Sequence, residues 1–121
     1  MYLTGSELIT AERYEQLLKH GRTIAKDVKY NTKNELLIAA EELLISCSNK
    51  NYPTDTRSLG YMAPPGWDKD IFVKMMQKPV KGRLIIAGAL IAAELDRLHY
   101  IEHENNSNEQ LQENHYGSTN G

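Results

Sequence analysis

The sequence predicts an all-α fold, a small three- to four-helix bundle with a disordered C-terminal tail. Three observations predict it: apolar residues recur at helical spacing in three segments, one of these segments is apolar all the way round, and almost every residue after position 102 is polar. We place the helical domain at 1–102 and the tail at 103–121. The tail contains too little apolar surface to offset the entropy lost on ordering.

The first helix is predicted from Thr4 to His20. Thr4 and Glu7 have the spacing of a capping box, in which the hydroxyl accepts a hydrogen bond from the first turn and the carboxylate reaches back. Gly21 supplies the permissive backbone that ends many helices. Residues 22–31 show no clear period, so they are predicted to form a connecting loop or a short extended piece.

The second helix is predicted from Thr32 to Cys47, with a second capping box between Thr32 and Glu35. A long Pro/Gly-containing loop follows over 48–81 and holds all four prolines of the chain. Within it, a short amphipathic helix is predicted to start at Asp68. Because long loops are uncommon without a purpose, this one is expected to pack down as a lid or to line a site.

The third helix is predicted from Lys81 to Glu102, and its middle, Leu84–Ala93, is apolar on every side. This stretch of ten residues is shorter than the roughly 20 that cross a membrane, so we expect a buried core helix and no membrane partner. Two shorter helices cannot cover it completely. The sequence therefore predicts a homo-oligomer, at least a dimer.

Composition narrows the possible partners and the compartment. The chain has 14 basic and 16 acidic residues and a formal charge of -2, which lacks the basic footprint of proteins that bind duplex nucleic acid. Cys47 is the single cysteine, so neither an intramolecular disulfide nor a cysteine-based zinc site can form within one chain. The N-terminus does not read as a secretory signal, and a cytoplasmic location is expected.

One stripe of the third helix carries ionisable groups on an otherwise apolar surface. Its members, within about 40° of one azimuth at 100° per residue, are Arg83, Leu90, Glu94 and Arg97. A guanidinium there suits a phosphate or carboxylate ligand. The alternative is a structural network, facing solvent or paired with Glu12, Arg13 and Gln16 of the first helix. Both interpretations remain open.

The spacing of acidic residues, histidines and the cysteine gives weaker support to a metal site or a catalytic site. Metal-dependent hydrolysis of nucleotides on a helical fold needs acidic pairs at i and i+3 or i+4, whereas Glu94 and Asp96 lie about 160° apart. His99 and His103 have a metal-binding spacing but no third ligand. Cys47 follows an apolar face and is interpreted as a core thiol. No metal, cofactor or catalytic residue is predicted.

The central loop combines aromatic and basic side chains. Trp67 is flanked by tyrosines and lysines: Tyr30, Tyr52, Tyr61, Lys74, Lys78 and Lys81. They could stack a base and hold its phosphates. In the alternative interpretation, the aromatic side chains attach the loop to the bundle.

A spaced pattern runs from about 11 to 98. Its elements are Glu12-Arg13, Gln16, Gly21, Thr23, Asp27, Glu35-Leu36, Ala39-Ala40, Gly66-Trp67, Lys78-Pro79, Arg83, Ala87-Gly88-Ala89-Leu90-Ile91, Ala93-Glu94 and Arg97. In this pattern the chain resembles a group of small phage and prophage proteins. It departs from them in having Arg22 where the group usually has Trp, and in a longer central loop.

The resemblance implies a viral accessory protein and brings no specific activity with it. We hypothesise a non-enzymatic, phage-encoded counter-defence protein that acts in the host cytoplasm. As a homo-oligomer, it would bind and sequester a small phosphorylated ligand, such as a nucleotide immune signal. The candidate ligand-binding residues are Arg13, Gln16, Thr23, Asp27, Trp67, Lys78, Arg83 and Glu94. Two alternatives are a protein-binding inhibitor of a bacterial defence enzyme and a magnesium-dependent nucleotide pyrophosphohydrolase.

Overall fold

The computed structural model of the chain describes residues 2–19 and 21–120, with side chains described as far as Asn106. Within this part every regular element is a helix, so the predicted all-α class is confirmed, with six helices in place of three or four. The helices are α1 (Gly5–Lys19), α2 (Ile24–Tyr30), α3 (Glu35–Ser48), α4 (Thr56–Tyr61), α5 (Lys69–Met76) and α6 (Val80–Asn120).

The start of α1 is a capping box, as predicted. The Thr4 N–H donates to Glu7 Oε1 at 2.9 Å, and the Glu7 N–H donates to Thr4 Oγ1 at 3.2 Å. These bonds satisfy two of the N–H groups that a helix start leaves without partners. Gly21 follows α1 with a φ of +62°, a left-handed conformation that glycine adopts without a steric penalty.

The prediction of a loop over 22–31 was wrong, because this segment contains α2. Thr23 caps the helix by accepting a hydrogen bond from the Lys26 N–H at 3.2 Å. The helix has only seven residues, which is too few for a hydrophobic period to show in the sequence. It packs against α6.

The second predicted capping box does not form. α3 begins at Glu35, three residues later than predicted, after Asn34 in a left-handed conformation with a φ of 64°. The Glu35 carboxylate is buried and accepts a hydrogen bond from the Lys33 N–H, not from the Thr32 N–H.

The stretch over 48–81 is more regular than predicted. Asp68 caps α5 by accepting from the Ile71 N–H at 3.0 Å, which confirms the short helix predicted there. Asp55 caps the additional helix α4 in the same way, through the Ser58 N–H at 2.9 Å. The two short helices pack against each other, and α5 also contacts α3 and α6.

The apolar core lies where α3 and α5 pack against α6. Its buried members are Leu36, Ala39, Ala40, Leu43, Leu59, Phe72, Val73, Met76, Ile86, Ala87, Leu90 and Ala93. On another face of α6, Gly88 lets α1 approach closely, because a methyl group there would lie 2.6 Å from Ile9 Cδ1. Part of the all-apolar stretch stays exposed in the single chain, including Leu84 and Ile91 at 45% and 39%.

The backbone of α6 continues beyond the predicted end at Glu102. The tail predicted over 103–121 lies mostly outside the residues whose side chains the structure describes. Among the helices of the described part, none combines the length and apolar character needed to cross a membrane.

Candidate functional site

Polar side chains are buried where α1 and α2 pack against α6. Five of them are less than one-tenth exposed: Arg13, Gln16, Asp27, Glu94 and Arg97. Four of these five belong to the predicted ligand-binding set, and Arg97 belongs to the predicted stripe. Thr23, another predicted residue, caps α2 and so helps to place Asp27 in this region. We call these five side chains the polar interface.

Ion pairs neutralise much of the charge in the polar interface. Arg97 donates to the carboxylate of Glu94, one turn earlier on α6. Arg13 on α1 donates to Asp96 Oδ2 through Nε at 3.3 Å and Nη2 at 3.2 Å. Arg13 of the first helix thus pairs with Asp96, which lies outside the predicted stripe, whereas Glu94 and Arg97 of the stripe pair with each other.

Two side chains of the polar interface keep atoms without hydrogen-bond partners. Both amide atoms of Gln16 are buried and unpartnered among the described residues, and so is Asp27 Oδ2. Asp27 Oδ1 accepts from Asn31 Nδ2 at 2.8 Å. Burial raises the pKa of Asp27 above its ordinary value, against the opposing effects of the Asn31 hydrogen bond and the charges of Arg13 and Arg22.

Arg22 joins the polar interface to the central loop. Its guanidinium lies over the Trp67 ring, 4.3 Å from the centroid, a cation–π arrangement. Burial lowers the pKa of Arg22, and the nearby Asp27 carboxylate opposes that shift. Trp67 Nε1 donates to Asn31 Oδ1 at 3.0 Å, so the ring attaches the loop to α2. One ring face is therefore already occupied by Arg22.

A cleft of about 580 Å³ opens between α1, α5 and the start of α6. Its lining includes three basic side chains, Arg22, Lys74 and Lys78. Its apolar wall consists of Ile71, Met75, Ile85 and Ile86, and its other members are Glu12, Glu15, Gln16 and Gly82. We call this the basic cleft. Two predicted residues, Gln16 and Lys78, line it.

Arg83 lies apart from the basic cleft and the polar interface. Its Nη1 donates to Ser46 Oγ at 2.8 Å and its Nε donates to the Lys78 carbonyl oxygen at 2.9 Å. It lines a second cleft of about 400 Å³ near the end of α3, together with Cys47 and Tyr52, and Lys78 lines both this cleft and the basic cleft. The structure thus distributes the predicted set over neighbouring but distinct places.

Sequence reasoning missed Arg22 and Asn31 as members of the site, and it named Lys74 only among the basic residues near Trp67, not in the ligand-binding set. A signal for Arg22 was its position directly before Thr23, which caps α2. Among the described residues, no group of three or more His, Cys, Asp or Glu side chains is placed to hold a metal ion.

No family model, no curated protein and no solved structure matches this chain.

Proposed function

We propose that the chain binds a small phosphorylated ligand, such as a nucleotide, in the basic cleft and holds it without converting it. The observation that carries this proposal is Gln16, which lines the cleft and is 3% exposed, with no partner for either amide atom among the described residues. A buried polar group without a hydrogen bond costs about 1–3 kcal/mol. Because neither amide atom is exposed at the cleft surface, the Gln16 side chain has to turn toward the cleft on binding, and a ligand that offers an adjacent donor and acceptor, as a nucleobase edge does, would then remove that cost.

The charges around the cleft favour a phosphorylated ligand. The three cations Arg22, Lys74 and Lys78 outnumber the two carboxylates of the lining, Glu12 and Glu15, and a guanidinium can bind a phosphate through two parallel hydrogen bonds. The isoleucines and Met75 offer an apolar wall for a ring. The volume of about 580 Å³ falls within the range of roughly 300–1,000 Å³ that is typical of small-molecule sites.

The biological part of the proposal comes from the resemblance to phage proteins. A protein that only binds a nucleotide can act by lowering its free concentration. We therefore propose a phage-encoded counter-defence protein of the host cytoplasm that sequesters a nucleotide immune signal. The buried polar groups and the basic cleft support the ligand class, and the resemblance supports the role.

Calorimetric titration tests the proposal with a panel of mononucleotides, dinucleotides and cyclic oligonucleotides. We expect at least one to bind the wild type, and Gln16→Leu and the double variant Lys74→Ala/Lys78→Ala to weaken it at least about tenfold, equal to about 1.4 kcal/mol. Lys33→Ala, an exposed lysine outside these clefts, is the matched control. The single variants Lys74→Ala and Arg83→Ala separate the two clefts, because Lys74 lines only the basic cleft and Arg83 only the other: if the basic cleft is the site, Lys74→Ala should weaken binding and Arg83→Ala should not.

The outcomes distinguish the remaining hypotheses. If no member of the panel binds, or if the cleft variants bind as the wild type does, the proposal is wrong. Ligand recovered chemically intact supports sequestration. Release of pyrophosphate in the presence of magnesium that is lost in Glu94→Gln would instead establish the pyrophosphohydrolase alternative.

One observation favours the protein-binding alternative. The outer side of α1 exposes Tyr14 and Leu18 at 63% and 71%, and with Leu3 they line a shallow groove. Exposed apolar patches mark protein contacts in many proteins. Recovery of one stoichiometric host protein by the wild type, lost in Tyr14→Glu and retained in Gln16→Leu, would support this alternative.

A further inference from the structure

A row of large apolar side chains stays exposed along α6. Leu84, Ile91, Leu95 and Leu98 are 45%, 39%, 53% and 41% exposed. At 100° per residue they lie within about 60° of one another on the helix surface. We call these four side chains the α6 seam. On other faces of the same helix, Leu90 and Ala93 are buried.

The spacing of the α6 seam is that of a helix that pairs with another helix. Leu84, Ile91 and Leu98 recur every seven residues, and Leu95 follows Ile91 after four. Seven-residue apolar repeats of this kind form the contact line of paired helices. Leu37 and Leu44 on the adjoining helix α3 are also seven apart and are 43% and 42% exposed. They would widen such a contact.

Charged residues at the two ends of the seam indicate what covers it. Lys81 precedes the seam and Glu102 follows it, both are exposed, and both lie on the seam side of the helix. In a parallel pair of identical helices, each would face its own copy and like charges would repel. In an antiparallel pair centred on Ile91, Lys81 of each copy lies opposite Ile101 of the other and next to Glu102, so opposite charges meet at both ends.

We infer that the α6 seam binds the α6 seam of a second copy of this chain, antiparallel, with a two-fold axis at Ile91. In this register Leu84 lies opposite Leu98 of the second copy, and Ile91 lies opposite itself. Such an arrangement is self-complementary, as a two-fold interface between identical chains requires. It specifies a face and an orientation for the oligomer that the sequence predicts, and it does not depend on the ligand.

Sedimentation velocity over a range of concentrations tests the contact on the full chain. We expect the wild type to dimerise and Leu95→Glu to be monomeric, with unchanged helical circular dichroism. Leu18→Glu, an equally drastic change at an exposed leucine of α1, should dimerise as the wild type does. A monomeric wild type, or a Leu95→Glu variant that still dimerises, overturns the inference.

Charge reversal tests the orientation without touching the apolar contact. Lys81→Glu and Glu102→Lys should each weaken the dimer several-fold, because each creates two like-charge contacts, and the double variant should recover the wild-type affinity. If the double variant is weaker than either single variant, the antiparallel register is wrong.

Cross-linking tests the register independently. In a Cys47→Ala background, Ile91→Cys should form a disulfide-linked dimer under mild oxidation, since it lies on the two-fold axis. Leu84→Cys should cross-link to Leu98→Cys in a mixture and not to itself. Self-cross-linking of Leu84→Cys would indicate a parallel pair and overturn the proposed arrangement.

Discussion

Helix α6 is packed on two sides by different chemistry. Towards α3 and α5 it contributes Leu90 and Ala93 to a core whose members are all apolar. Towards α1 and α2 it contributes Glu94, Asp96 and Arg97: Asp96 pairs with Arg13 of α1, and Glu94 and Arg97 pair with each other. A single helix thus carries both an apolar and a charged interface.

The two sides of α6 differ in what their packing contributes to the stability of the fold. The apolar side gains free energy from every buried methyl group and needs no particular partner. The polar side has to offset the desolvation of its charges, and it leaves Gln16 and Asp27 with unpartnered atoms. The polar side therefore contributes less to stability, and the proposed ligand site adjoins it.

The largest effect is expected on the apolar side. Phe72 is completely buried, and Phe72→Ala should lower the free energy of unfolding by about 4 kcal/mol, since it removes buried surface and leaves a cavity. Its neighbour Ile71 is 52% exposed, and Ile71→Ala should change the value by less than about 0.5 kcal/mol. Urea denaturation measures both, and equal losses would contradict the assignment of the core.

A smaller loss of unfolding free energy is expected when the buried ion pair of the polar side is broken, and this loss should be partly recovered when both partners are removed. Arg97→Met leaves the Glu94 carboxylate buried without its cation and should cost about 3 kcal/mol. The double variant Glu94→Leu/Arg97→Met should be more stable than Arg97→Met, because it removes the unpaired charge.

The exposed pair of α1 provides the matched control for that experiment. Lys19 Nζ lies 3.5 Å from Glu15 Oε1, and Lys19→Met should cost less than about 0.5 kcal/mol. The loss of stability in the double variant Glu94→Leu/Arg97→Met is compared with the losses in Glu94→Leu and in Arg97→Met alone. If the double variant lost the sum of those two values, the two groups would not act as a pair.

The smallest effect is a dependence of stability on pH at Asp27. Because burial raises the pKa of Asp27 in the folded state, the folded protein holds more protons than the unfolded chain between the ordinary and the raised value. The free energy of unfolding therefore falls as pH rises through this window. Asp27→Asn keeps an oxygen for the Asn31 hydrogen bond, so it should be more stable than the wild type at neutral pH and equal to it in acid.

Asp55 provides a control of opposite sign. The hydrogen bond from the Ser58 N–H lowers the pKa of Asp55, so its contribution to stability is present at neutral pH and is lost as pH falls through the lowered value. Asp55→Ala should therefore be less stable than the wild type at neutral pH. Thermal unfolding followed by circular dichroism from acid to neutral pH measures both variants, and a shared sign would contradict the stated cause at Asp27.

Local interactions explain which parts of this fold were predictable. The capping box of Thr4 and Glu7 and the cap at Asp68 join groups three residues apart, so spacing along the chain is enough to find them. The apolar face of α3 was equally readable, since Leu36 and Leu43 recur at helical spacing and both are buried. The class of the fold followed from these signals.

The site depended on how distant segments meet. Arg83 and Glu94 share a stripe of α6, but eleven residues separate them by about 16 Å along the axis, so angular position could not show that they lie in different surroundings. Asp27 is buried because it lies on α2, a helix of seven residues that is too short to show a hydrophobic period in the sequence. The contact of Arg22 with Trp67 forms because the central loop folds back on α2. Helical periodicity can be found in the sequence because it depends only on the spacing of residues along the chain. The desolvation and pairing of a charge depend on which helices and loops pack around it, so they are decided by the tertiary structure.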